Sequence, residues 1–147
     1  MNTADKTSAS RGPSRAALRW VLAAFYVAAG VAHLWVPDKL LLIMPSWVPI
    51  PTAVILLTGV FELAAAAALV TRPLRRWAGV ALALYALCVW PANFTHALEG
   101  IEMPVIGNSW WYHGPRLAFQ PVLIWWALYC AHVIDWPCSR TRRADAR

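Results

Sequence analysis

The sequence predicts an all-α integral membrane protein, a four-helix bundle with both termini cytoplasmic. Three observations predict it. First, 60% of the 147 residues are hydrophobic and 14% are charged, against about 45–50% and about 25% in soluble domains. The excess gathers in four runs, 16–36, 52–70, 74–90 and 115–134. Each has the length, about 17–25 residues, that crosses a hydrocarbon core of about 30 Å as a helix. Second, 11 of the 13 Lys and Arg flank the starts of runs one and three and the ends of runs two and four. The positive-inside rule places those ends in the cytoplasm. Third, Trp35, Trp47, Trp90, Trp110 and Trp111 gather at the predicted outer ends, and Trp20, Trp77 and Trp136 at the inner ends. That is the interfacial depth amphipathic rings favour.

Each element follows from local chemistry. Residues 1–14 are polar and small, the composition of a disordered cytoplasmic tail. The membrane domain is expected over 15–138. Its first run has a basic approach and a "VAA" at 27–29, so a secretory signal is an alternative. The run continues past that site to "HLWVP", which favours a retained helix. The first loop carries Pro37, Pro45, Pro49 and Pro51 around "DKLLLIM". This reads as a short interfacial helix capped by Asp38 and stopped by Pro45. The second run, "AVILLTGVFELAAAAALV", interrupts its apolar surface only at Thr58 and Glu62; a soluble helix would carry a polar face at a 3.6-residue period. "TRPLRR" is a tight turn into the third run, so helices two and three are antiparallel neighbours. The third connection, about 92–114, is the longest and the expected lid or docking surface. Its mixture of apolar and aromatic residues predicts an ordered segment. Residues 139–147 form a basic tail suited to the anionic inner leaflet. Ala64–Ala68 and Gly79–Ala83 are small-xxx-small pairs that permit close helix packing.

The composition also excludes functions. The net charge of +6 sits at the ends of the spans, which gives no nucleic-acid surface. Cys88, Cys130 and Cys138 form no CxxC and no disulfide framework, and the two in helices read as small buried residues. No two His share metal-ligand spacing on one helix, and no haem, flavin or iron–sulfur pattern is present.

Function is carried by the polar residues inside the apolar runs. Glu62 lies near the middle of the second run. A central acid costs about 2.5–3.5 kcal/mol on the insertion scale. The nine Leu, Ile, Val and Phe of that run, at about 0.3–0.6 kcal/mol each, return about 3–5 kcal/mol. Insertion succeeds narrowly, so Glu62 needs partners. Thr58 shares its face at i, i+4 spacing. Tyr26, Gly30 and His33 share a face of the first helix, and Arg116 and Gln120 a face of the fourth. Asn93 and His96 lie at the outer end of the third. All fall in the outer half of the bilayer, so four helices can converge them on one pocket floored by Glu62, with Arg116, Gln120 and one or more of His33, Asn93 and His96 as its expected partners. Each also has a plain structural reading: interfacial His33 and His96, a capping Asn93 (Asn93-Phe94-Thr95 also matches a glycosylation acceptor), a snorkelling Arg116, a helix-bridging Gln120, and a Glu62 that fixes helix register.

The ordered set "AAGVAHL", "MPSWVPIP", "TGVFELAAA", "WPANFTHAL" and "RLAFQPVLIWWAL" resembles the DoxX-like family of small bacterial four-helix membrane proteins, from Phe25 to Leu128. The resemblance implies a multi-pass protein of the bacterial cytoplasmic (inner) membrane. It also implies an association with membrane oxidoreductase complexes, and its motif positions fall at His33, Glu62, Asn93, Arg116 and Gln120.

Three functions compete on these residues. The first is a subunit or accessory of a membrane redox system, whose outer pocket binds a quinone-like cofactor or moves a proton through Glu62. The second is a binding or assembly protein, whose pocket is structural and whose third loop docks a partner; a membrane redox protein or a second copy of the chain is the partner expected in either case. The third is a small transporter, for which four helices without a visible repeat leave little machinery. No autonomous catalytic motif is present.

Overall fold

The structure, a computed structural model, describes residues 14–99 and 110–136, with backbone alone for His96 and Glu99. The tails at 1–13 and 139–147, Cys138 and the middle of the third connection lie outside the described residues. So does the expected order of Ile101–Ser109.

The described chain is all-helical, with five helices: α1 (Arg15–Trp35), α2 (Pro37–Leu41), α3 (Pro51–Val70), α4 (Arg75–Glu99) and α5 (Trp110–Cys130). Ser14 caps α1 by accepting from the Ala17 amide at 3.2 Å, one of the donors a helix start leaves unpaired. Pro37 and Pro51 open α2 and α3, where a missing N–H matters least. The expected Asp38 cap is absent. Val36 occupies that position without a side-chain bond, and Asp38 stands in the first turn of α2. There its charge still faces the positive helix end.

Among the described residues, three helices are long and apolar enough to cross a membrane: α1, α3 and the 75–95 part of α4. α5 is as long but is not among them, because His113, Pro115, Arg116, Gln120 and Pro121 dilute its first half. The expected boundaries shift at two places. α4 does not stop at Trp90 but runs through Pro91 to Glu99, since membrane-type helices absorb a proline by re-satisfying the freed groups. The Thr95 hydroxyl donates to the Pro91 carbonyl at 3.2 Å within that stretch. α5 starts five residues earlier than expected and ends at Cys130, not 134. It ends in a Schellman turn: Val133 N donates to Leu128 O and His132 N to Tyr129 O, with His132 at φ 59°. Glycine is the usual residue there, so the stop was not visible in the sequence.

α1 packs antiparallel on α3 and α4 on α5, while α3–α4 and α1–α5 contacts close a ring with α2 laid across α1 and α3. Glycines set both main crossings. A Cβ on Gly30 would lie 2.8 Å from the Gly59 carbonyl oxygen, and one on Gly59 would lie 2.9 Å from the His33 Cβ. A Cβ on Gly79 would collide with Ala131. Of the expected small pairs, Gly79 and Ala83 are buried, whereas Ala64 is exposed and Ala65 and Ala66 pack instead. Cys88 is also exposed, contrary to expectation, and Cys130 is buried.

Beside an apolar core that includes Leu22, Leu69, Leu82 and Leu123, the burial pattern has two features unusual in a soluble domain. Glu62, Asn93, His113 and Gln120 are buried, whereas Phe25, Leu57, Val60, Leu84 and Leu87 face outward. Trp20, Trp77 and Trp136 are exposed at the basic end, and Trp35, Trp47, Trp110 and Trp111 at the far end. At the basic end Arg15 joins the first turn of α1 to the segment after α5. It pairs with Asp135 at 2.8 Å, donates to His132 Nδ1 at 3.1 Å and lies over the Tyr129 ring at 4.1 Å. The Trp126 indole donates to the Leu18 carbonyl at 3.2 Å.

Candidate functional site

The Gly30–Gly59 crossing fixes the site. It sets the last turn of α1 level with the middle of α3, so α3 rises beyond the end of α1. α2 and the chain after it cover the space that this offset leaves. The result is a cleft of about 380 Å³. Its walls are apolar where Leu40, Ile43, Met44, Trp47 and Val48 line it, and polar where His33, Thr58, Tyr85, Asn93 and Arg116 do.

Glu62, 3% exposed, stands behind the polar wall. Its Oε1 accepts from the Tyr85 hydroxyl at 2.8 Å. Its Oε2 lies 3.1 Å from His33 Nδ1, but that N–H donates to the Ala29 carbonyl at 2.8 Å. The His33–Glu62 contact is therefore close in distance and poorly aligned as a hydrogen bond, and Oε2 has no hydrogen-bond partner. Both neighbours of Nδ1 are acceptors, so Nδ1 carries the proton and Nε2 is the ring nitrogen left for a ligand. Phe61, Tyr26 and Tyr85 rings pack around this network at 5.2–6.4 Å centroid distances.

A second, smaller cavity of about 130 Å³ lies on the other side of Glu62, lined by Tyr26, Glu62, Tyr85 and Gln120 among apolar neighbours. Tyr85 and Val89 line both spaces.

The expected residues thus divide. His33, Thr58, Asn93 and Arg116 face the cleft, and Tyr26 and Gln120 face the small cavity with Glu62. The His96 side chain lies outside the described part. Arg116 does not pair with Glu62. Its Nη2 donates to Asn93 Oδ1 at 2.6 Å, and the basic side chain beside Glu62 is His33. The depth estimate set these groups at similar heights along the runs but could not assign them to sides of a helix. Tyr85 was missed. Its signal was a tyrosine in the middle of a span rather than at its ends, where a hydroxyl needs a partner. Buried His113 was missed too, because it fell in what reads as a loop. Among the described residues no group of three metal-ligating side chains gathers.

Fold and site define a class: a helical protein with membrane-length helices and a polar network buried between them. A family model described as a domain of unknown function, DUF8561, matches residues 22–144, and the chain belongs to that family. No curated protein matches it, and no solved structure does. The resemblance to the DoxX-like family is therefore corrected. Its motifs are short runs of Ala, Leu, Trp and Pro around isolated polar residues, a composition that membrane helices favour in general. The bacterial inner membrane and the oxidoreductase partner lose the support that the resemblance gave them.

Proposed function

We propose that the chain is a multi-pass membrane protein in which α1, α3, α4 and α5 form a four-helix bundle with both termini cytoplasmic. In this reading the cleft holds the polar head of a quinone-like amphipathic molecule in the outer half of the bilayer. The eleven-to-two distribution of basic residues supports the orientation. The Arg15–Asp135 pair supports an even number of crossings, since it keeps both ends of the bundle together. α5 crosses in the company of the other three, its polar residues turned inward to the site. The cytoplasmic membrane is the setting that this topology fits.

The observation that carries the ligand is the cleft itself. Its volume of about 380 Å³ falls within the about 300–1,000 Å³ of small-molecule pockets. One side offers donors, the other only apolar surface. A quinone carbonyl accepts from His33 Nε2–H when that ring is fully protonated, or from Arg116, while the ring plane and tail lie against Met44, Trp47 and Val48. Nothing in this arrangement supplies electrons, so the proposal is for binding and not for redox turnover.

Titrating the full chain in nanodiscs with a short-chain benzoquinone tests it. Saturable binding is expected, weakened about tenfold or more by Arg116→Ala, the scale of one charge-assisted hydrogen bond. Absence of saturable binding contradicts the reading. A protein partner purifying in fixed proportion with an empty cleft supports the assembly alternative instead.

A further inference from the structure

The small cavity behind Glu62 is not used by a ligand in the cleft, yet three of its buried polar atoms are left without a hydrogen bond. Tyr26 Oη, Gln120 Oε1 and Glu62 Oε2 are fully enclosed and accept or donate no hydrogen bond in the protein, Oε2 having only the poorly aligned His33 Nδ1 at 3.1 Å. They come from α1, α5 and α3, and all three residues line this one space. A buried polar group left unpaired costs about 1–3 kcal/mol, so three converging on a common cavity point to a common occupant.

The chemistry of the three atoms selects that occupant. Tyr26 Oη–H needs an acceptor, Gln120 Oε1 needs donors, and Glu62 Oε2 needs a donor when ionised and an acceptor when protonated. A cation would satisfy the acceptors and leave the tyrosine hydrogen unpaired. Water satisfies all of them, and the cavity of about 130 Å³ has room for several molecules, since one needs only about 10–15 Å³ of such space.

We propose that this cavity is a hydrated proton site, in which water held by Tyr26, Gln120 and Glu62 lets Glu62 gain and lose a proton from the cleft side only. The proposal deepens the ligand-pocket reading and rests on it for its physiological purpose. A water turns over to donate or accept, so it solvates either form of Glu62 without movement of a side chain. Tyr85 makes the link to the cleft, because it lines both spaces and its hydroxyl donates to Glu62 Oε1 at 2.8 Å. A proton arriving at Tyr85 Oη from the cleft displaces the tyrosine proton to Oε1. Tyr85 gains one O–H and loses one, and the carboxylate becomes a carboxylic acid. Toward the basic end the next layer is apolar: Leu22, Leu69, Leu82 and Ala127 are each fully buried. The site therefore loads and unloads on one side and does not conduct. The titratable and charged groups facing Glu62 are Tyr26 and His33 from α1 and Tyr85 from α4. From α5 the facing group is the uncharged Gln120, with Arg116 turned to Asn93.

Infrared difference spectroscopy on the ligand-free full chain in nanodiscs tests this, with Glu62→Gln as the reference. The expected result is a Glu62 carboxyl band that titrates reversibly and shifts within minutes in D₂O. The Tyr26→Phe/Gln120→Leu variant should slow that exchange tenfold or more, or move the midpoint by a pH unit. Exchange should also be unchanged when sodium replaces choline. A band that stays unshifted for hours in D₂O, no Glu62 band at any pH, or a sodium-dependent shift overturns the proposal. If the double variant does not fold, the wild-type exchange and the Tyr26→Phe variant decide it. Because no ligand is present, failure of quinone binding leaves this result standing. Quinone binding without exchange overturns the proton site alone.

Discussion

Glu62 keeps its place among apolar neighbours because Tyr85 donates to one oxygen and His33 stands against the other. Interhelical hydrogen bonds in membranes contribute about 0.6–2 kcal/mol, so Tyr85→Phe is expected to lower stability by that amount in a bicelle unfolding assay. An unchanged stability would show that the bond contributes nothing. Glu62→Gln keeps shape and should fold, whereas Glu62→Leu strands the Tyr85 hydroxyl and should perturb packing. A second residue-scale prediction concerns His132 at the basic end, beyond α5. Burial, then the nearby Arg15, Arg19 and Arg75, hold its imidazole below the usual range. A base with a depressed folded-state pKa contributes stability that is fully present above its unfolded value, about 6.5, and is lost as the pH falls from there through the lower folded-state value. Protonation also removes the acceptor that Arg15 uses. Thermal melts should therefore show wild-type stability falling below about pH 6.5 more steeply than that of His132→Gln. Equal slopes would contradict this.

At the scale of the element, the helices were legible because a bilayer demands about 20 apolar residues wherever a chain crosses it. Their ends were less legible. Pro91 reads as a stop yet lies inside α4, and His132 reads as helix yet forms the left-handed turn that ends α5. The candidate site was legible as a set of residues and not in direction. Thr58, Glu62, His33, Arg116 and Gln120 stand out as polar residues in apolar runs, but nothing local reveals that Arg116 turns to Asn93 or that Tyr85 turns to Glu62. That information resides in helix rotation, which the Gly30–Gly59 contact sets. Gly59→Ala puts a methyl group 2.9 Å from the His33 Cβ, so it should separate α1 from α3 and lower stability by about 1–3 kcal/mol. It should also weaken any ligand held through His33. Wild-type stability and binding in that variant would refute the crossing. Ile50 holds a left-handed conformation, φ 49° and ψ 57°, between two prolines at the start of α3. That strain costs a branched residue about 1–2 kcal/mol, so Ile50→Gly should leave about 0.5–1 kcal/mol of net stabilisation after the added chain entropy of glycine. A lower melting temperature would contradict it.

For the whole molecule, the buried polar network, the two exposed tryptophan belts and the one-sided basic charge support the proposed account, a bundle that crosses the membrane four times with its cleft in the outer half. The described structure contributes the Arg15–Asp135 latch, which places the start of α1 and the end of α5 together. Family membership places this architecture in a group described only as a domain of unknown function. The cleft and the Glu62 network are accordingly where an activity should be sought. The most direct measurement is single-cysteine labelling on intact cells with a membrane-impermeant maleimide. The background is Cys88→Ser, Cys130→Ala and Cys138→Ser, with one cysteine introduced at Trp47 beside the cleft or at Ser139 beyond α5. The account predicts that Trp47→Cys reacts from outside and that Ser139→Cys reacts only after the cells are permeabilised. Reaction of Ser139→Cys from outside, or protection of Trp47→Cys until permeabilisation, would contradict it.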